Sequence, residues 1–214
     1  MKLYWVKTKW FIKRLFPGFV WDVQNDDKKV YLTFDDGPVP EVTDWVLSLL
    51  QQHNISATFF CIGDNIDKHP EVFKKVVSAG HAIGNHTYNH LNGWKTNDAL
   101  YQENRLACEA AIGKYYLHAD ETKLFRPPYG KIKSAQAKAL RNDGYKIIMW
   151  DVLSADFDQT ITPEQCLQNV ISSVQPGSII IFHDSVKASV NLKYALPRVI
   201  EHLKKEGYTF DKLT

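Results

Sequence analysis

The chain has 214 residues, 44% of them hydrophobic, enough to bury a full core in one domain. Its 26 basic and 24 acidic residues leave a formal charge of +2, which excludes a nucleic-acid-binding surface of high net charge. Three cysteines, Cys61, Cys108 and Cys166, cannot all pair and share no metal-type spacing, so buried free thiols are expected.

Residues 1–19 form a separate zone in which Lys2, Lys7, Lys9, Lys13 and Arg14 meet no local acid. Their apolar runs are too short for a signal-peptide core or a bilayer span. On a helical wheel Tyr4, Trp5, Phe11, Ile12, Leu15 and Phe16 cluster, with Lys9 and Lys13 at one border. Such a basic amphipathic helix can lie on an anionic membrane as a peripheral contact, or pack across one end of the domain. From Lys29 onward short β-rich runs alternate with amphipathic helices. Strands are expected at 30–34, 57–62, 82–85, 124–126, 146–150, 178–183 and 208–210. Helices are expected at 41–53, 71–79, 97–115, 134–142, 163–174 and 194–206. Thr162-Pro163-Glu164-Gln165 combines an N-cap, a first-position proline and a capping-box glutamine. Gly80, Gly144 and Gly207 each follow a helical pattern, where a left-handed residue ends a helix. Strands separated by helices predict βαβ units and a mainly parallel sheet. Asp35, Asp36, His86, Arg126, Asp151 and His183 fall at strand ends, which suits the rim of a closed (β/α) barrel better than one switch point of an open sheet.

Two motifs carry the chemistry. Thr33-Phe34-Asp35-Asp36-Gly37-Pro38 places two carboxylates where an apolar run stops at a Gly-Pro breaker. His86-Thr87-Tyr88-Asn89-His90 places two imidazoles at a spacing used for zinc. One Asp and two His supply three protein ligands and leave a position for water, as a catalytic zinc requires. The spare Asp is then free to act as a base. Hydrolysis follows as the leading reaction class.

With Arg126-Pro127-Pro128-Tyr129-Gly130, the stretch 150–157 (WDVLSADF) and Ile181-Phe182-His183, five ordered motifs resemble the polysaccharide deacetylases with a NodB-homology domain, carbohydrate esterase family 4. The likeness covers roughly residues 28–210, and divides the chain into a basic N-terminal segment, 1–27, and a deacetylase-type domain, 28–214. It implies an α/β fold, a distorted (β/α) barrel of seven to eight βα units. It also implies one divalent metal ion, commonly zinc, and removal of acetyl groups from a carbohydrate substrate such as peptidoglycan or chitin. By residue type and family order alike, Asp36, His86 and His90 would hold the metal and Asp35 would be the base. The resemblance pairs Arg126 with Asp35, gives the backbone N–H of Tyr129 to the oxyanion, makes His183 the acid and sets Asp156 to hold and tune it.

Where many relatives read D-S-x-D-W this chain has Leu153-Ser154-Ala155-Asp156-Phe157, which changes one wall of the site and bears on substrate choice more than on catalysis. Tyr129, Trp94 and Phe157 are candidates for stacking on a sugar ring. His53, His69, His81, His118 and His202 lie in helix ends and loops and are read as structural or solvated. The glycosylation patterns at Asn54 and Asn85 are read as chance, since a glycan at the second would block the site. O-deacetylation of acetylxylan stays open within the same chemistry, and a catalytically silent sugar-binding barrel is the rival from another class. A monomer is expected, and with no export signal visible the expected place is cytoplasmic or peripheral to a membrane.

Overall fold

The computed structural model describes residues 4–116 and 122–214; Lys2 and His118 lie outside them. Seven strands form the frame: β1 (Lys29–Asp35), β2 (Thr58–Cys61), β3 (Ala82–Asn85), β4 (Lys123–Phe125), β5 (Tyr145–Ile147), β6 (Val152–Leu153) and β7 (Ile179–His183). They pair in parallel in the order β5-β4-β3-β2-β1-β7-β6, and the sheet curls into an incomplete barrel. A short β8 (Thr209–Phe210) pairs with the start of β1. The helices are α1 (Trp10–Leu15), α2 (Val42–His53), α3 (Gly63–Lys68), α4 (Pro70–Ser78), α5 (Asp98–Gly113), α6 (Ser134–Asn142), α7 (Pro163–Ile171) and α8 (Ser189–Lys205). None of the described helices is long and apolar enough to cross a membrane.

β1 is covered on both faces, and its alternation sorts the side chains into two layers. Val30, Leu32 and Phe34 join the main core with residues of α2, α4 and α8. Tyr31 faces a second cluster with Phe60, Leu124, Ile148 and Ile179. Thr33 and Asp35 continue this second row, where both meet the Arg126 guanidinium. The local signals behave as their chemistry dictates. Thr162 and Gln165 exchange both capping-box hydrogen bonds, and Gly80, Gly144 and Gly207 all have positive φ. The three cysteines are buried and free.

Two expectations need correction. The run 146–150 is not one strand: β5 ends at Ile147 and a separate β6 begins at Val152, with Asp151 at its start. Asp151 therefore lies at the opposite end of the sheet from the site, accepting from the Ser178 hydroxyl at the foot of β7 (2.5 Å). The N-terminal segment is also less helical than its pattern suggests. Among its described residues only Trp10–Leu15 coils, and none of those six is buried. The segment's work is done by extended backbone.

That backbone fills the seam between the two sheet edges. Val20 N–H donates to Ile147 O (2.8 Å) and Val20 O accepts from Met149 N–H (2.7 Å), against β5. Thr8 N–H donates to Asp151 O (2.9 Å), and Leu153 N–H to Val6 O (2.8 Å), against β6. Edge groups that would template aggregation are thereby satisfied. Two of the basic residues that lack a local acid find one further along the chain. Lys7 and Lys13 reach the buried Asp151 at 2.5 and 2.6 Å, and Lys13 also reaches Asp22 at 2.5 Å. Trp5, Trp10, Phe11, Leu15 and Phe16 remain exposed on the outside of the seam.

Replacing Asp151 leaves two ammonium groups facing a buried, uncompensated site. Asp151→Asn is expected to lower the unfolding free energy in urea by about 2–4 kcal/mol and to speed proteolysis between residues 7 and 20. Unchanged stability and cleavage would make these ion pairs incidental.

Candidate active site

The rim at the strand C-termini collects the site. Asp35 ends β1 and is paired in register with His183, the last residue of β7. Asp36 then turns with φ 79, out of the extended backbone of the strand. The turn is locked from below. Asp184 accepts from Gly37 N–H (3.1 Å) and from the Thr43 hydroxyl (2.6 Å), while Asn65 donates to Asp36 O (2.7 Å). A Cβ on Gly37 would stand 2.0 Å from the Asp184 carboxylate, so only glycine fits there.

His86 follows β3, and its Nδ1 lies 2.7 Å from Arg126 O, which leaves Nε2 facing the rim. The 86–90 segment is a strained loop, with Thr87 and His90 both at positive φ. Asn104 of α5 holds it by accepting from Tyr88 and Asn89 N–H (2.8 and 2.9 Å). Asp36 Oδ1 then lies 3.7 Å from His86 Nε2 and 3.3 Å from His90 Nε2. The three ligand atoms fall within 4.8 Å of one another. Asp36 Oδ1 is buried and accepts no hydrogen bond among the described residues, a costly state for a carboxylate oxygen unless a cation takes it. Burial lowers the pKa of His86 well below the ordinary imidazole value and that of His90 as well, so both are neutral donors. The donor set fits a divalent ion.

Around this cluster the other groups are fixed. Arg126 donates to Asp35 Oδ1 and to the Thr33 hydroxyl, each at 2.7 Å, and Nη2 to Met149 O at 2.9 Å. Asp35 Oδ2 faces the cluster, 3.8 Å from His86 Nε2. His183 Nδ1 is 2.7 Å from Asp156 Oδ1, and its N–H donates to Asp156 Oδ2 at 2.7 Å. Burial alone lowers the His183 pKa, but the Asp156 charge and hydrogen bond override it and lift the value to about 9. Phe157 packs edge-on against His183 at 5.1 Å and against Tyr4 of the N-terminal segment at 5.7 Å. Tyr129, at φ 60, is exposed and places its hydroxyl 3.1 Å from His90 Nδ1. Trp94 stands further out on the same side, exposed.

Every residue expected at the rim from its motif is therefore brought there, Asp151 excepted. Asp184, Asn65, Thr43 and Asn104 were not anticipated. Asp184 directly follows His183 and its carboxyl is raised to about 8, chiefly by burial; a carboxylate closing the most apolar strand was the available signal. Asn104 carries no such mark, being one polar residue in a helix.

The description "Polysaccharide deacetylase" belongs to a family profile that matches residues 22–148. A Bacillus cereus peptidoglycan-N-acetylglucosamine deacetylase is 36% identical over 202 residues, covering 92% of this chain and 93% of that one. A Pseudobutyrivibrio xylanivorans bifunctional xylanase/deacetylase is 33% identical, over 87% of this chain and 30% of that one. Among solved structures, a peptidoglycan N-acetylglucosamine deacetylase bound to an N-hydroxybenzamide superposes with a TM-score of 0.87 at 32% identity, over 96% of this chain and 95% of that one. A carbohydrate esterase family 4 pseudoenzyme from Bacillus anthracis superposes at 0.80 with 25% identity, over 90% of this chain and 66% of that one. With the barrel, the five motifs and the profile in agreement, this chain belongs to the polysaccharide deacetylase family.

Proposed function

We propose that the protein hydrolyses the N-acetyl group of N-acetylglucosamine units in peptidoglycan, with Asp36, His86 and His90 holding one divalent ion, zinc by the character of its donors. The observation that carries the reading is the orphaned Asp36 oxygen facing two neutral imidazoles, flanked on one side by a clamped carboxylate and on the other by a protonated imidazole. Relatives named as peptidoglycan deacetylases, aligned over most of this chain, support the substrate class.

The ion would polarise the acetyl carbonyl and acidify a water molecule. Asp35 would take the proton of the attacking water through Oδ2, because Arg126 occupies Oδ1 and fixes the carboxylate plane. The Tyr129 N–H donates to the oxyanion that develops as the carbonyl is attacked. His183 protonates the departing sugar amine from Nε2, since Nδ1 is committed to Asp156. Phe157 walls the acid side.

Three substitutions separate these roles. His86→Ala should lose both bound metal and acetate release from an acetylated chito-oligosaccharide. Asp36→Asn should weaken metal binding, whereas Asp35→Asn should retain the metal and slow the reaction by about 10²–10⁴-fold. Metal content by elemental analysis beside the rate decides the assignment; an exchange of the two Asp phenotypes would reverse it.

The acid makes a pH prediction. A pKa lifted to about 9 keeps His183 protonated at neutral pH, so its contribution is complete below that value and lost as pH rises through it. In Asp156→Asn the raising charge is gone and burial remains, so the alkaline limb should move down by about one unit or more. His183→Ala should harm amide substrates far more than activated aryl acetates, whose leaving groups depart unprotonated. Equal loss on both would assign His183 another role.

A further inference from the structure

The two loops that carry His90 and Tyr129 continue outward together and stay clamped. Gly93 N–H donates to Lys131 O at 3.1 Å. A Cβ on Gly93 would lie 2.5 Å from that oxygen and 2.6 Å from Gln136 Oε1, so a side chain would force the loops apart. The buried Gln136 ties the junction from beneath, donating to Gly93 O (3.1 Å) and Asp98 Oδ1 (3.0 Å). On this mount Trp94 is held through both its side chain and its backbone. Its Nε1 donates to Ile132 O (3.1 Å) and its backbone N–H to Asn92 Oδ1 (3.1 Å). The residue nevertheless stays 61% exposed. Lys131 Nζ stands 5.4 Å from the ring centroid, and no carboxylate among the described residues pairs with it.

A large apolar ring fixed in place and left in water is ready to be covered without further ordering cost. The C–H face of a pyranose is a flat partner for such a ring, and the ammonium over the ring would lie in reach of a substituent on the same sugar. Trp94 lies four residues after His90, and Lys131 two after Tyr129, whose hydroxyl and imidazole meet at 3.1 Å. One pair of loops thus carries this ledge together with His86 and His90, two of the three residues of the metal-type cluster. We infer that Trp94 and Lys131 form a subsite for the sugar next to the acetylated one, and that Lys131 recognises a carboxylate on it. The inference rests on the deacetylase reading and narrows it to acidic glycans. Two carboxylates share this chemistry: a lactyl ether, as on the alternate sugars of peptidoglycan, and a uronate.

The test measures binding in the Asp35→Asn protein loaded with zinc, by calorimetry, so that turnover does not intervene. The probes are matched oligosaccharides of N-acetylglucosamine alone, of N-acetylglucosamine alternating with glucuronate, and of a peptide-free peptidoglycan glycan strand. The carboxylated probes should bind more tightly than the neutral one, and the preference should shrink with salt. Lys131→Gln should reduce the ratio of acidic to neutral affinity about threefold to fivefold, the range of a partly exposed ion pair. Trp94→Ala should weaken all three about tenfold, as loss of one apolar ring contact gives. A preference for one acidic probe alone identifies which carboxylate the ledge takes. Equal affinity for acidic and neutral probes, an unchanged ratio in Lys131→Gln, or no binding at all overturns the inference. Acetate release by the unmutated enzyme is measured on the same probes. Its absence overturns the deacetylase reading instead, while the affinity ratio still judges the ledge.

Discussion

The site is built around one buried ion pair, Arg126 with Asp35. Arg126 is wholly buried, its guanidinium 4.1 Å from the centre of the Phe60 ring, where an unpaired charge would be prohibitive. Four of its five N–H donors go to Asp35, Thr33 and the carbonyls of Ile148 and Met149. A single side chain after β4 therefore fixes β1 and the chain after β5 at once. Such a pair adds little net stability, because desolvation offsets attraction. It does specify geometry: a planar fork admits one carboxylate orientation. Asp35 takes its carboxylate orientation from this pair, while the ladder to β7 sets it beside His183.

Burial then assigns opposite states to chemically identical groups. His86, His90 and His183 are all largely shielded from water, and burial pushes each toward the neutral form. Only His183 has a carboxylate bonded directly to its ring, and only it rises above neutrality. The imidazoles suited to a metal and the imidazole suited to proton donation differ by one hydrogen-bond partner. Asp156 can play that part because Asn191 of α8 holds its carbonyl and Ser154 its N–H.

How much of this was legible depended on how local the signal was. The strand cores, the Thr162 capping box and the motif residues at the rim could be read because each rests on neighbours in sequence. Asp151 was misplaced for the opposite reason. Its role is set by Lys7, Lys13 and Ser178, far away along the chain, and an apolar run broken by a short irregular step looks continuous to a pattern of period two. The six-residue α3 has too few turns to show periodicity, and α8 starts five residues early because the Val190, Asn191 and Leu192 turn carries a mixed pattern. Asn104 and Asn65 are invisible to sequence because their importance lies in the loop geometry they hold. The N-terminal zone advertised a helical face, yet its hydrogen bonds went to two strand edges that the local pattern could not foresee.

That seam has a kinetic meaning. Lys7 meets a residue 144 positions away and Thr8 one 142 away, so the staple joins segments that begin two-thirds of the chain apart. Closing such loops costs entropy before any contact rewards it, and topologies rich in them fold slowly. The seam can form only after β5 and β6 have taken their places, since it binds to both. Until then the two outer strands carry unpaired backbone groups. The segment that precedes β1 is therefore among the last to settle, and the time the chain spends with open edges is set by how quickly that segment returns to cover them.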